Sequence, residues 1–343
     1  MGFLRNAWYP AAWDKDVTDG TVAIRIIDHP IVLFRDEHGQ VKALFDACPH
    51  RFAPLSRGKV RDGRLVCGYH GLEFGGSGAC LRNPHGKGAV SSALAVRSYP
   101  VAERYGMLWV WMGEAAQAEE SKLPVLPLFD EPDQTWVYGQ LDVNANYELV
   151  IDNLLDLTHV EFLHPFLASP GNSERTTFRA RQDGDQVNAF YDVVNEPITG
   201  LFRLLWEGAE DFANLKAYMH WQAPANLSLQ TGMSIRETVQ PDDPRINIMH
   251  LLVPQSEDVT RYFWAAGRNK ARDSREVSGM LHYGTQNAFV NEDEPMIAAV
   301  RSRMRSNDLL AHKPALLPID EAAIRARRIL KGMIDKEQRQ PAD

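Results

Sequence analysis

Two short segments bring metal-binding side chains together. Cys48-Pro49-His50 and Cys67-Gly68-Tyr69-His70 each supply one thiolate and one imidazole, with sixteen residues between His50 and Cys67. Such a set can hold a mixed-ligand metal centre in two ways. A tetrahedral zinc site takes two Cys and two His on one ion. A [2Fe–2S] centre takes two Cys on one iron and two His on the other. Zinc fingers usually place a Cys pair ahead of a His pair, whereas here the order alternates. That order favours the iron centre and leaves zinc as the alternative.

A second set follows about ninety residues later, in Asp152-Asn153-Leu154-Leu155-Asp156-Leu157-Thr158-His159-Val160-Glu161-Phe162-Leu163-His164-Pro165. A helix is expected from Asn146 to about Phe162. On it Asp152, Asp156 and His159 share one face. His159 and His164 are five residues apart, about 140° on an ideal helix, so a regular helix cannot aim both at one ion. The helix must widen locally or end before His164, and Pro165 favours an end. By itself the His spacing is a weak signal.

The elements that must position these groups divide the 343 residues into two expected domains, 1–115 and 116–343. From Thr21 to Met112 short β runs alternate with turns (Val22–Ile27, Ile31–Arg35, Val41–Phe45, Arg64–Cys67, Met107–Trp111), with Asp36–Gly39 and Asp62-Gly63 as turn signals. This suits a small antiparallel domain with metal loops at hairpin tips. A polar, then Pro-rich stretch from Gly113 to about Gln134 reads as a linker. Beyond it come strand-like runs at Thr176–Arg181, Val187–Val194, Leu215–Trp221, Leu227–Ile235, Ile246–Val253 and Thr260–Gly267. Helical regions follow at about Arg275–Arg305 and Asp320–Lys336, the last with an apolar face of Ala322/Ala323, Ala326, Ile329/Leu330 and Met333. The fold class is α+β.

Composition narrows the function. Hydrophobic content of 44% and charged content of 24% fit a soluble globular chain. The net charge of −8, without a Lys/Arg run, argues against nucleic acid. No apolar run of about 18 residues suggests a membrane span, and no signal peptide is evident at the N-terminus. Three cysteines, of which Cys80 stands alone, give no disulfide framework and suit a reducing cytoplasm. No G-x-G-x-x-G or G-x-x-x-x-G-K-[ST] is present, so electrons are expected from a separate ferredoxin or flavin reductase rather than from bound NADH.

The loops Cys48-Pro49-His50-Arg51-Phe52-Ala53-Pro54-Leu55 and Cys67-Gly68-Tyr69-His70-Gly71-Leu72-Glu73-Phe74, with D-N-L-L-D-L-T-H and the opening Phe3–Tyr9, resemble the Rieske non-haem iron oxygenases. The likeness is greatest to the vanillate O-demethylase and dicamba monooxygenase type. It implies an all-β Rieske domain followed by a catalytic domain whose antiparallel sheet is flanked by helices in a helix-grip-like arrangement. It implies that Cys48 and Cys67 bind one cluster iron and His50 and His70 the other. The exchange of thiolates for imidazoles raises the potential from about −400 mV to roughly −150 to +300 mV. His159 and His164 become two ligands of a 2-His-1-carboxylate mononuclear iron site. The third comes from Glu292, Asp293 or Glu294, with Asp293 favoured by alignment. Asn153 falls near the iron. Asp156 is expected to accept from the His159 imidazole and link it to His70 of the partner subunit in a head-to-tail homotrimer.

Gln222 and His250 fall where a substrate carboxylate or ether would be held, and Gly284 stands where an aromatic pocket residue aligns. The implied activity is monooxygenation of a small aromatic acid, by hydroxylating its methoxy carbon so that a phenol and formaldehyde form. Ring or methyl hydroxylation of another small aromatic or alicyclic compound is the alternative. An electron-transfer Rieske protein or a zinc-stabilised binding protein represents the other classes.

Overall fold

The computed structural model describes residues 2–164 and 166–339. The chain forms two compact units, one of Phe3–Leu123 and one beginning at Pro124.

The first unit is all β. Its three small sheets contain Trp8–Trp13 with Met107–Trp111 and Val101–Arg104; Val22–Ile26, His29–Arg35, Val41–Phe45 and Ser98–Tyr99; and Lys59–Arg61, Arg64–Val66, Glu73–Phe74 and Cys80–Arg82. Trp8–Trp13, absent from the expected strands, pairs along Met107–Trp111 and is buried throughout. The Asp62-Gly63 turn closes its hairpin with both residues at positive φ, 49° and 70°. A Cβ at Gly63 would meet the Glu37 backbone nitrogen at 2.0 Å, so close approach as well as φ requires glycine.

The second unit is built on a seven-stranded antiparallel sheet. Its order is Thr135–Val143, Val259–Arg268, Arg245–Ser256, Asn226–Ser234, Phe212–Gln222, Gln186–Pro197, Thr176–Asp183. Alternation sets the sides of each strand: Val187, Ala189, Tyr191 and Val193 are buried and the intervening residues are more exposed. The edge strand Thr135–Val143 follows the Pro-rich stretch and was not among the expected strands; its residues are mostly half-buried, so its alternation is weak.

The longest helical segments among the described residues of the unit are Tyr147–Leu155, a run from Arg275 to Arg303, and Glu321–Arg339. Asn146 caps the first by accepting from Glu148 N at 3.0 Å. The last helix packs against Tyr147–Leu155 and buries Ala322, Ala323, Ile324, Ala326, Arg327, Leu330 and Ile334. Arg327 thus occupies the core-facing stripe, where the sequence pattern gave it no place.

Candidate metal centres and substrate cavity

The two Cys-His loops of the first unit are built alike. Cys48 N donates to Ala53 O at 2.9 Å and Phe52 N to Cys48 O at 2.8 Å. In the second loop Cys67 N donates to Leu72 O at 2.8 Å and Gly71 N to Cys67 O at 3.0 Å. Both fourth residues after the Cys have left-handed backbones, φ 57° at Phe52 and 72° at Gly71. Each thiol is rooted in the core formed with Val32, Phe34, Leu44, Leu55, Leu65, Leu72 and Phe74. Burial, with the adjoining Cys67 thiol, pushes the Cys48 thiol up to about 11, although backbone amides of the loop oppose this. The His side lies at the surface: His50 is exposed, and its ring is 4.5 Å from that of half-buried His70. The sulfur end of a centre held here would be dry and the imidazole end wet.

In the second unit the expected continuous helix does not form. Tyr147–Leu155 stops at Asp156, whose backbone is extended (φ −118°, ψ 93°). A 3₁₀ turn over Leu157–His159 and one α turn over Val160–Leu163 follow. The physical cause is the Asp156 carboxylate, which accepts from Thr158 N at 2.9 Å and Thr158 Oγ1 at 2.6 Å and so starts a new turn. Asp152, Asp156 and His159 therefore do not share one helical face. Asp152 instead receives Arg327 Nε at 2.8 Å and Nη2 at 2.6 Å. The chain leaves helical geometry at His164 (φ −121°, ψ 72°), and Pro165 lies outside the described residues. The break and the extended end turn the two imidazoles toward each other, with ring centroids 5.1 Å apart.

Local widening occurs in the opposing run. Between Arg275–Asn287 and Glu294–Arg303 lies a π-helical turn, Ala288–Asp293. It carries three adjacent acids to different places. Asp293 Oδ1 lies 3.5 Å from His159 Nε2 and 3.3 Å from His164 Nε2. Glu292 Oε2 contacts His164 Nδ1 at 2.6 Å. Glu294 turns to Asn144, accepting from its Nδ2 at 2.9 Å. Asn153 Nδ2 donates to Asp293 Oδ1 at 3.0 Å.

Among the described residues, His159, His164 and Asp293 are the one group of three or more His, Cys, Asp or Glu whose ligand atoms lie within 4.8 Å of one another. Donors about 2.1 Å from a common ion and roughly 90–110° apart would be roughly 3.0–3.4 Å from each other, close to the two separations from Asp293. The residues fit a single metal ion with open positions. The four Cys and His donors of the first unit do not converge in this way. A tetrahedral zinc site would hold them roughly 3.3–3.8 Å apart.

The two imidazoles have unlike surroundings. Burial lowers the His159 pKa despite the Asp293 carboxylate and the Asp156 carbonyl oxygen beside its Nδ1. Burial also acts on His164, but Asp293 and Glu292 outweigh it and raise the pKa.

A cavity of about 170 Å³ lies against the segment that carries His159, although none of the three ligand residues lines it. Its walls include Thr158 and Val160, which flank His159, with Leu229, Ile248, Gly284 and Phe289. Among the described residues, no lining side chain is charged. A Cβ on Gly284 would meet only Leu201 Cδ1, at 4.0 Å, so this helical glycine opens the cavity rather than serving a packing contact.

Neither expected substrate residue lines this cavity; His250 packs behind Phe289, which does. His250 is 1% exposed, hydrogen-bonds Tyr262 through Nδ1 and packs 5.8 Å from the Phe289 ring. Its buried Nε2 has no hydrogen-bond partner among the described residues. Burial depresses its pKa to about 3, leaving a neutral imidazole. Gln222 is not brought to the cavity. Its Nε2 donates to Val125 O at 2.9 Å and ties down the segment after Pro124. The Asp156 carboxylate is likewise not at the His159 Nδ1, which faces the Asp156 backbone oxygen.

Residues 7–100 match the Rieske [2Fe-2S] domain, and residues 143–336 match the vanillate O-demethylase oxygenase C-terminal domain. The chain belongs to the Rieske oxygenases. It is 34% identical to the dicamba O-demethylase oxygenase component of Stenotrophomonas maltophilia, over 97% of this chain and 98% of that one. It is 30% identical to the vanillate O-demethylase oxygenase subunit of Pseudomonas sp. strain HR199, over 98% and 96% of the two chains. A crystal structure of dicamba monooxygenase bound to dicamba superposes with a TM-score of 0.92 at 32% identity, covering 99% of this chain and 100% of that one. As a Rieske oxygenase component, the chain is a monooxygenase with a [2Fe–2S] domain and a mononuclear site. Its electrons come from a separate reductase or ferredoxin. No helix among the described residues is long and apolar enough to cross a membrane.

Proposed function

We propose that this Rieske oxygenase O-demethylates a small methoxylated aromatic acid, as the names of its dicamba and vanillate relatives state for them. The observation that carries this reading is the open His159–His164–Asp293 triangle together with a one-ring cavity whose wall takes in Thr158 and Val160, on either side of His159. A cavity of roughly 150 Å³ accommodates benzene, so about 170 Å³ suits a single substituted ring.

Cys48, Cys67, His50 and His70 would hold the cluster, and His159, His164 and Asp293 the mononuclear iron. When bound, these groups deliver electrons singly and activate dioxygen. The chain's own residues do the rest. Asn153 fixes the Asp293 carboxylate by its hydrogen bond. The apolar walls hold the ring and exclude water. His250, packed behind Phe289 with its Nε2 unpaired among the described residues, offers a polar atom to a ligand that reaches past that ring. Overall, an aryl methyl ether, O₂, two electrons and two protons give a phenol, formaldehyde and water.

In a cytoplasmic head-to-tail trimer, we propose, Asp156 touches His159 through its backbone oxygen and offers its free carboxylate oxygen to His70 of the partner subunit. Asp156 Oδ2 makes no hydrogen bond among the described residues. Asn153, Asp156 and His159 line an open cleft of about 280 Å³ with Met296, Val300 and Leu316. Those last three are large, exposed apolar side chains, as expected of a surface that a second copy covers.

A second reading, attack on an alkyl group of an uncharged ring compound, is favoured by the absence of charge among the described residues of the cavity wall. A relative named as the oxygenase component of a chloroacetanilide N-alkylformylase, from Rhizorhabdus wittichii, is 34% identical over 98% of this chain. Formaldehyde release, measured with a surrogate reductase on methoxybenzoates and on uncharged methoxybenzenes, separates the readings. Release from the acids supports the first, and release from the uncharged ethers alone selects the second. No release from either class defeats O-demethylation.

A further inference from the structure

One imidazole in the catalytic unit is gripped at both ring nitrogens by consecutive residues. Asp293 Oδ1 is 3.3 Å from His164 Nε2, and Glu292 Oε2 is 2.6 Å from His164 Nδ1. In a regular helix neighbouring side chains diverge by about 100°. Here the π-helical turn Ala288–Asp293 lets both reach the same ring. Glu292 is itself held: its Oε1 accepts from Asn287 Nδ2 at 3.1 Å, and Asn287 Oδ1 accepts from Asn291 Nδ2 at 2.9 Å. His159 differs, since its Nδ1 faces a neutral backbone oxygen.

We propose that Glu292 is a positioning residue for the metal: its carboxylate fixes His164 with Nε2 toward the ion and makes it the stronger of the two imidazole ligands. The proposal rests on reading His159, His164 and Asp293 as the iron ligands. With Nε2 directed at the ion, Nδ1 carries the proton and donates it to Glu292. A negative acceptor makes the imidazole more electron-rich, which a backbone carbonyl does to a smaller degree. The carboxylate also fixes ring orientation, so less freedom is lost when the ion binds. Partners of this kind typically contribute roughly 10–100-fold in metal affinity. Glu292 has thus moved from candidate ligand to the group behind a ligand.

The test is Fe(II) affinity of the full-length, cluster-loaded protein after removal of its mononuclear iron, read by competition with a chromophoric chelator. Co(II) d–d absorption gives a second readout, of ligand field rather than turnover. Glu292→Gln keeps size and an acceptor oxygen but removes the charge. It should weaken Fe(II) binding roughly tenfold and shift the Co(II) bands, and Glu292→Ala should approach the roughly 100-fold limit. Glu294→Gln, on the same helical run but turned to Asn144, should change neither. Glu292→Gln with wild-type affinity and wild-type Co(II) bands overturns the proposal, whatever the alanine variant does to folding. His159→Ala tests the underlying reading: if it binds Fe(II) as wild type does, the site assignment fails, rather than the role of Glu292 alone.

Discussion

The two candidate metal centres are built on opposite plans. The Cys-His loops are local: each closes through its own backbone bonds, Cys48 N to Ala53 O and Cys67 N to Leu72 O, within six consecutive residues. The catalytic triangle is non-local, joining His159 and His164 to an acid about 130 residues further along. The first leaves His50 exposed and His70 half-buried, whereas the second buries His164 and Asp293. A local loop can hold its ligands once its turn forms. A distant triangle stands only while the surrounding helices stay packed.

The largest expected effects come from breaking each centre alone. Cys67→Ala should abolish the Rieske absorption and EPR signal while leaving an iron-binding catalytic unit. His159→Ala should do the reverse, losing mononuclear iron with the cluster spectrum intact. Loss of both signals in either variant would show that the centres are not separately held.

Next in size is Arg327→Ala. Arg327 Nη1 contacts Glu148 at 2.8 Å and Nη2 contacts Asp152 at 2.6 Å, joining the last helix to the helix bearing Asn153. Removing the cation leaves buried Glu148 and half-buried Asp152 unpaired, a loss of about 3 kcal/mol, the low end for a broken buried pair. Denaturant unfolding should register it in the catalytic unit while the cluster spectrum holds its wild-type midpoint. Equal destabilisation of both units would contradict the contrast.

Asp156→Asn should keep both metals and most of the stability, since an amide oxygen can still cap Thr158. It should slow product formation relative to cluster reduction. Stopped-flow oxidation of the reduced cluster, compared with product yield, measures this, and unchanged coupling would remove the bridging role.

The smallest effect is a pH slope. Burial pushes Glu148 up to about 7, with Asp152 adding to the rise and Arg327 opposing it. A carboxylate raised above its unfolded value near 4.5 contributes most below that value. The contribution is lost as pH rises through about 7. Between these limits stability should fall by at most about 1.4 kcal/mol per pH unit, and Glu148→Gln should flatten the slope. Urea midpoints across the window would show it; a wild-type slope in the variant would assign the dependence elsewhere.

Particular residues show why one centre was more legible than the other. Alternating Cys and His in two short loops are readable because the ligands are neighbours in sequence. Six strands of the large sheet were legible from period-two alternation, while half-buried Thr135–Val143 carried too little contrast. The break at Asp156 had a signal in Asp156-Leu157-Thr158, a carboxylate placed to cap a backbone amide two residues on, but the longer helical pattern masked it. Arg327 also left a trace, four residues after Ala323 on the apolar stripe. Glu292, Asp293 and Glu294 could not be separated by spacing, because the π turn that sorts them changes the angular register.

The sequence by itself determined which donors exist, the local loops that present four of them, and the period of each strand and helix. These follow from short-range sterics and hydrogen bonding. Tertiary structure decided which acid faces His159 and His164, that Glu292 stands behind His164, that Gln222 ties down a chain segment instead of lining the cavity, and that the described residues of the cavity wall carry no charge. Those outcomes depend on angles between elements far apart in the chain. Such angles are fixed by packing a whole core, which no local spacing encodes.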